Sequence, residues 1–125
     1  MLNTVLIFLG AGTGGVFRYW ISSLTHRFLD RQFPYGTLLV NASGCFLMGI
    51  LFVLILDRLN GSGSQLRSLL LIGFLGGYTT FSTFSIETVN LFENGANVGA
   101  VLNIFLSITL CIVATWLGVI GGRQL

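Results

Sequence analysis

Four long apolar stretches, separated by short polar breaks, divide the chain. The first covers residues 4–24, and a polar segment at 26–35 follows, with Arg27, Asp30, Arg31 and the only proline, Pro34. Proline marks the break before the second stretch, 36–56, which ends at Asp57 and Arg58. Asn60-Gly61-Ser62-Gly63-Ser64 then reads as a flexible turn. The third stretch covers 66–92 and stops at Glu93-Asn94-Gly95, and the fourth covers 98–120 and closes at Gly121-Gly122-Arg123. A helix rising about 1.5 Å per residue needs about 20 residues to cross a hydrocarbon core of roughly 30 Å. None of the four shows the alternation of a barrel strand. The pattern predicts an all-α membrane protein of four transmembrane helices, filling residues 1–125 as one domain.

Composition agrees with a bilayer as solvent. Apolar residues make up 54% of the chain and charged residues only 8%, against roughly 25% charged in soluble domains. Mean hydropathy is +0.89, and a chain of 125 residues is too small to hide that much apolar surface in its own core. The N-terminal stretch lacks a basic leading region, so it reads as a span and not as a signal peptide. Cys45 and Cys111 lie inside apolar runs and read as small buried residues, neither a disulfide frame nor a metal pair.

Charge excludes one partner class and leaves orientation open. All six basic residues are Arg, scattered at 18, 27, 31, 58, 67 and 123, so no nucleic-acid footprint is present. With four spans, Arg58, Arg67 and Arg123 fall on one side, Arg27 and Arg31 on the other, and Arg18 near the latter. The positive-inside rule has little to act on. Two oppositely inserted copies could then pair about an axis in the membrane plane. Many transporters build such symmetry from internal repeats; none is evident here, so a second chain would supply it. Gly10 and Gly14, Ala11 and Gly15, and Gly118 and Gly122 are each four apart, which suits close helix approach either within one subunit or between subunits.

The chemistry concentrates in the third stretch. Residues 73–85 carry Gly73, Gly76 and Gly77, then Tyr78, Thr79, Thr80, Ser82, Thr83 and Ser85. A helical ladder can open there, and freed carbonyls at that depth need protein, water or an ion. Such carbonyls make a site for a small hard cation; the alternative is an intact helix whose threonines bond back to their own carbonyls. Phe81 and Phe84 share a face after the break, with Thr80 and Thr83 in an adjacent row and Ser82 between them. Ring edges are positive and could receive a small anion passed along by hydroxyls, or the pair could simply pack.

Other polar groups lie at similar depth. Asn41 and Ser43 interrupt the second stretch before Gly44, and intramembrane polar groups usually face the bundle interior. Asn103, Ser107, Cys111 and Thr115 recur every four residues, a stripe of about 18 Å at about 1.5 Å per residue. It reads as a polar track or as hydrogen-bonding glue between helices. Arg18 either snorkels or gives an entry vestibule a positive potential. Glu87 could snorkel, pair with an Arg or carry protons, and His26 reads as a solvated loop residue. A nucleophile with its base, a metal-ligand cluster and a phosphate loop are all missing from the sequence, so an enzyme is not expected.

Three segments together resemble the CrcB/Fluc fluoride channels over essentially the whole chain: the Gly-rich first stretch ending in Arg18-Tyr19, then Tyr35-Gly36-Thr37-Leu38-Leu39-Val40-Asn41 with Gly44, and Gly76-Gly77-Tyr78-Thr79-Thr80-Phe81-Ser82-Thr83-Phe84-Ser85 with Glu87. The resemblance implies a dual-topology antiparallel homodimer in the lipid of the cytoplasmic (inner) membrane, with a broken third helix and two pores. It implies passive export of fluoride that has entered the cell as HF. It further implies a structural, untransported sodium ion (Na+) held by the carbonyls of Gly76 and Thr79 from both subunits. Phe81 and Phe84 would be the pore phenylalanines, Asn41 the amide donor beside them, and Ser107 and Thr115 part of the polar track. Asn103 and Cys111 depart from the Tyr and Ser that some relatives carry there. A small proton-coupled multidrug exporter of the four-helix type is the alternative, but it wants a carboxylate deep in the first span, where this chain has none. A non-transporting assembly subunit would explain the small-residue faces but not the polar stripe.

Overall fold

A computed structural model describes residues 1–59 and 63–125. The Asn60-Gly61-Ser62 part of the expected flexible turn lies outside the described residues. Helix α1 covers Leu2–Phe28, and α2 covers Tyr35–Val53 with a wider, π-type continuation over Leu54–Arg58. Helix α3 starts at Gly63–Leu66, widens likewise over Arg67–Leu75 and ends in the turn Gly76–Tyr78. Helix α4 covers Phe81–Glu93 and α5 covers Asn97–Gln124. Four segments are long and apolar enough to cross a membrane: Leu2–Phe28, Tyr35–Arg58, Gly63–Glu93 and Asn97–Gln124.

Each segment overruns the apolar stretch that predicted it, because polar residues at its ends stay in the helix. The Thr25 hydroxyl donates to the Ile21 carbonyl at 2.7 Å, and His26 and Arg27 fill the last turn of α1, where basic groups suit the helix dipole. His26 is therefore a half-buried helical residue and not a solvated loop residue. Its Nε2 accepts the Gly36 amide at 3.3 Å. Pro34 caps the start of α2, and its carbonyl accepts the Leu38 amide. The turn after α4 needs Gly95, whose φ of +81° lets the Ala96 amide reach back to the Leu91 carbonyl.

Close backbone approach holds the bundle. Helix α1 lies along α3, where a Cβ on Gly10 or Gly14 would strike the carbonyl oxygens of Leu69 or Phe74, and one on Gly77 would strike the backbone of Ala11. Helix α2 lies along α5 in the same manner, Gly49 against Thr115 and Gly118 against Phe46, with Gly122 against Ile50 and Val53. From Phe46 against Gly118 to Val53 against Gly122 the residue numbers rise together, so α2 and α5 run parallel. Of the small residues spaced by four, Gly10, Gly14, Ala11, Gly118 and Gly122 thus serve packing inside the chain, while Gly15, like Gly12, faces open space. Val40, Ile55, Leu71, Leu75 and Tyr78 form the buried core. Phe8, Trp20, Phe81, Ile112 and Trp116 are among many large apolar side chains left on the outside, an arrangement that suits lipid or a partner chain and not water.

The glycine seam gives a direct test. Gly118→Leu drives a side chain into α2 and should destabilise the protein by roughly 1–3 kcal/mol, as overpacking does, lowering the thermal midpoint in detergent. Gly121→Leu, where nothing lies within reach of a Cβ, should leave the midpoint within error of the parent.

Candidate functional site

Between α3 and α4 the backbone leaves the helix for two residues. Thr79 (φ −82°, ψ 157°) and Thr80 (φ −153°, ψ 119°) are both extended. Local hydroxyls build the ends of this interruption. The amide and the hydroxyl of Thr79 both donate to the Leu75 carbonyl at 2.9 Å. Thr80 is the N-cap of α4: its Oγ1 accepts the Thr83 amide at 3.2 Å and donates to the Thr83 hydroxyl at 3.0 Å. The Ser82 hydroxyl lies 3.4 Å from that of Thr80.

The peptide groups of Thr80 are completed from α2. The Asn41 amide nitrogen donates to the Thr80 carbonyl at 2.9 Å, and the Asn41 amide oxygen accepts the Thr80 N–H at 2.8 Å. One side chain thus takes the place of a neighbouring peptide. The same turn of α2 supplies the rest of the cradle. Ser43 meets the Tyr78 hydroxyl at 2.9 Å, and Gly44 leaves room for the Thr79 methyl and the Tyr78 ring, which a Cβ there would strike.

This pairing leaves carbonyls without their ladder donors. In an unbroken helix the Thr80 amide would donate to the Gly76 carbonyl and the Thr83 amide to the Thr79 carbonyl. Here Asn41 takes the first amide and the Thr80 hydroxyl takes the second. Both carbonyls are free to meet another group, and Gly76 is exposed on the surface of the chain.

Two hollows meet at this point, and a third continues from one of them. Asn41, Thr79, Thr80, Phe81, Phe84, Ser107 and Cys111 share a cavity of about 330 Å³, with Cys45, Ile108 and Ile112 completing its wall. The Phe81 and Phe84 rings lie 5.3 Å apart between centroids, tilted by 48°. Phe81 is 78% exposed, so the outer side of this cavity stands open. A second hollow of about 440 Å³ contains Arg18, Tyr19, Ser22, Ser23, Thr37 and Thr83, and it also touches Thr80. A third, about 390 Å³, shares Ser22 and Ser23 and adds His26, Arg31, Glu87 and Asn90. A row of hydroxyls therefore leads from the polar end of the bundle to the phenylalanines, with Arg31 and Arg18 as fixed positive charges along it.

The stripe on α5 divides. Ser107 and Cys111 line the phenylalanine cavity. Asn103, only 1% exposed, instead donates to the Thr88 hydroxyl at 2.9 Å and accepts from Ser107 at 3.4 Å, joining α5 to α4. The Thr115 hydroxyl bonds back to the Cys111 carbonyl at 2.9 Å. Of the readings open for Glu87, partnering falls to a hydroxyl: Thr37 donates to its Oε1 at 2.5 Å. Reasoning from sequence missed Cys45, Ser22 and Ser23 as lining groups. Four-residue spacing would have found two of them, since Ser22 follows Arg18 and Cys45 follows Asn41 by one turn.

Comparison with known proteins adds the family. The sequence profile described as "CrcB-like protein, Camphor Resistance (CrcB)" matches residues 5–119. A protein of Coxiella burnetii named fluoride-specific ion channel FluC is 61% identical over 124 residues, which cover 99% of this chain and all of that relative. A Geobacter metallireducens protein of the same name is 44% identical over 125 residues, covering both chains fully. One from Methylococcus capsulatus is 46% identical over 99% of this chain but extends further, the match covering 54% of it. With its four membrane-spanning helices and a profile match across nearly its whole length, the chain belongs to the CrcB family.

Proposed function

We propose that this protein is a fluoride channel, conducting the ion passively out of the cell across the inner membrane. The observation that carries the reading is the Asn41-braced interruption, which stands between a hydroxyl-lined vestibule and a phenylalanine-lined cavity. The FluC name borne by relatives that match the chain end to end supports the choice of ion. Arg18 raises the local anion concentration at the vestibule. The hydroxyls of Ser22, Ser23 and Thr83 then replace water as donors, and the ring edges of Phe81 and Phe84 continue the path. A small, strongly hydrogen-bonding anion gains most from such fixed donors. Asn41, Ser107 and Cys111 face the path, whereas Asn103 ties α5 to α4 and Thr115 bonds back within its own helix.

The conducting unit in this reading is an antiparallel homodimer of dual topology, with the interrupted third span of each subunit meeting its copy. Three features support a second copy: the phenylalanine cavity lacks an outer wall, Gly12 faces open space, and the Arg balance favours neither orientation. The freed carbonyls of Gly76 and Thr79 fit a structural sodium ion: they are hard oxygen ligands, and Gly76 lies at the surface where a partner would dock. Bound there, sodium offsets the repulsion of carbonyl dipoles brought together without water. A proton-coupled exporter has no matching carboxylate in α1.

Three experiments follow. Liposomes bearing the purified protein should release fluoride and retain chloride without a proton gradient; equal chloride release, or efflux that needs a proton gradient, would refute the channel reading. Phe81→Ile or Phe84→Ile removes the ring quadrupole, worth about 0.5–1.5 kcal/mol per aromatic contact, and should slow efflux several-fold with the dimer intact. Asn41→Asp should cost more, roughly 10-fold or beyond, because an unpaired buried Thr80 carbonyl costs about 1–3 kcal/mol; unchanged rates in all three variants would mean that these residues only pack. Exhaustive removal of sodium should weaken the dimer and abolish efflux, with recovery when sodium is restored. Cross-linking and efflux that stay unchanged in sodium-free protein would assign Gly76 to helix packing alone.

A further inference from the structure

The phenylalanine cavity contains both cysteines of the chain. Cys45 comes from α2 and Cys111 from α5, both are free thiols, and both are half-buried in the wall. The glycine seam sets their register. Cys45 lies one turn before Gly49 and Cys111 one turn before Thr115, and Gly49 rests against the Thr115 carbonyl. Because α2 and α5 run parallel, stepping back one turn on each helix puts the two cysteines on the same side of the seam, in the wall of one cavity.

Two sulfurs and an otherwise mostly apolar wall define what such a pair can hold. Hard cations need several oxygens, and tetrahedral zinc needs four ligands. Among the described residues no group of three or more His, Cys, Asp or Glu is gathered anywhere. A soft monovalent d¹⁰ ion is different, since two thiolates satisfy it in a linear arrangement and thiolate ligands select for it. The geometry points to Cys45 and Cys111 as a two-thiol site for a soft monovalent metal ion of the copper(I) and silver(I) class, placed so that its occupancy closes the ion path. The closing half rests on the channel reading; the binding half does not.

The chemistry balances without any redox step. Two neutral thiols and one M⁺ give an S–M–S complex of charge −1, and two protons pass to the solvent. With both thiols protonated, this part of the wall is uncharged. With metal bound it carries a full negative charge beside Ser107 and the phenylalanine rings, where an anion has to pass. Closure is therefore electrostatic as well as steric.

Silver(I), supplied as the nitrate in chloride-free buffer, is the probe. Titration of the purified protein should end at one Ag⁺ per chain, and maleimide followed by intact mass should then find both thiols protected. Cys45→Ser and Cys111→Ser should each weaken binding by at least about 100-fold, more than the tenfold to hundredfold lost when only an outer partner of a metal ligand is removed. In liposomes, Ag⁺ should stop fluoride efflux from the parent, and a small dithiol should restore it. Each serine variant, judged against its own untreated rate, should resist. Two Ag⁺ per chain, or binding retained after loss of one thiol, would show independent cysteines and overturn the site. One tightly held Ag⁺ with undiminished efflux would overturn the closure. A protein that releases no fluoride even before silver is added would count against the channel reading, while the titration and mass measurement would still decide the thiol site.

Discussion

Backbone groups at the depth of the hydrocarbon core cannot turn to water, and the form of the third span follows from that. Two extended residues in the middle of a span leave amides and carbonyls that would each be costly unpaired. The protein answers within one turn of α2, where Asn41 closes both peptide groups of Thr80, Ser43 anchors the Tyr78 hydroxyl, and Gly44 makes room for Thr79. Everything nearby depends on this pairing. The start of α4 is fixed by the Thr80 cap, α4 carries Phe81, Phe84 and Glu87 to their places, and the hydroxyls converge from both sides of one backbone position.

Glycine seams supply the rigidity that such a small chain lacks in bulk. Its core is only a handful of side chains, Val40, Ile55, Leu71, Leu75 and Tyr78 among them. The helices are held instead largely by backbone surfaces in close contact at glycines, α1 on α3 and α2 on α5. This is how helices associate when lipid removes the hydrophobic drive for burial. Short contacts between backbones leave little freedom to slide, so side chains on opposite helices, such as Asn41 and Thr80, keep their register.

The spans and their order were legible in the sequence because length and hydropathy alone decide them. Their ends were less so: Thr25, His26 and Arg27 are polar, yet helical hydrogen bonding and the dipole keep them wound. At the site, the residue types of 76–84 and Asn41 announced a polar centre. What they could not announce was the pairing, since nothing local to residue 41 says that its amide faces residue 80. The α5 stripe shows the same limit. A four-residue period puts Asn103, Ser107, Cys111 and Thr115 on one face, but which of them turns to a cavity and which to Thr88 is settled by the neighbouring helix.

The double hydrogen bond between Asn41 and Thr80 also bears on the order of assembly. A chain made from its N-terminus delivers residue 41 to the bilayer before residue 80 has been synthesised. When the interrupted segment enters, the side chain that pairs with Thr80 is already in place, and the N–H and carbonyl of that residue need not cross the apolar interior unpaired. Reversing the order of the two spans would leave the same interactions in the finished fold but expose the Thr80 peptide to lipid on the way there. Circular permutants that place the 63–93 span ahead of α2 would therefore meet an insertion barrier that the natural connectivity avoids.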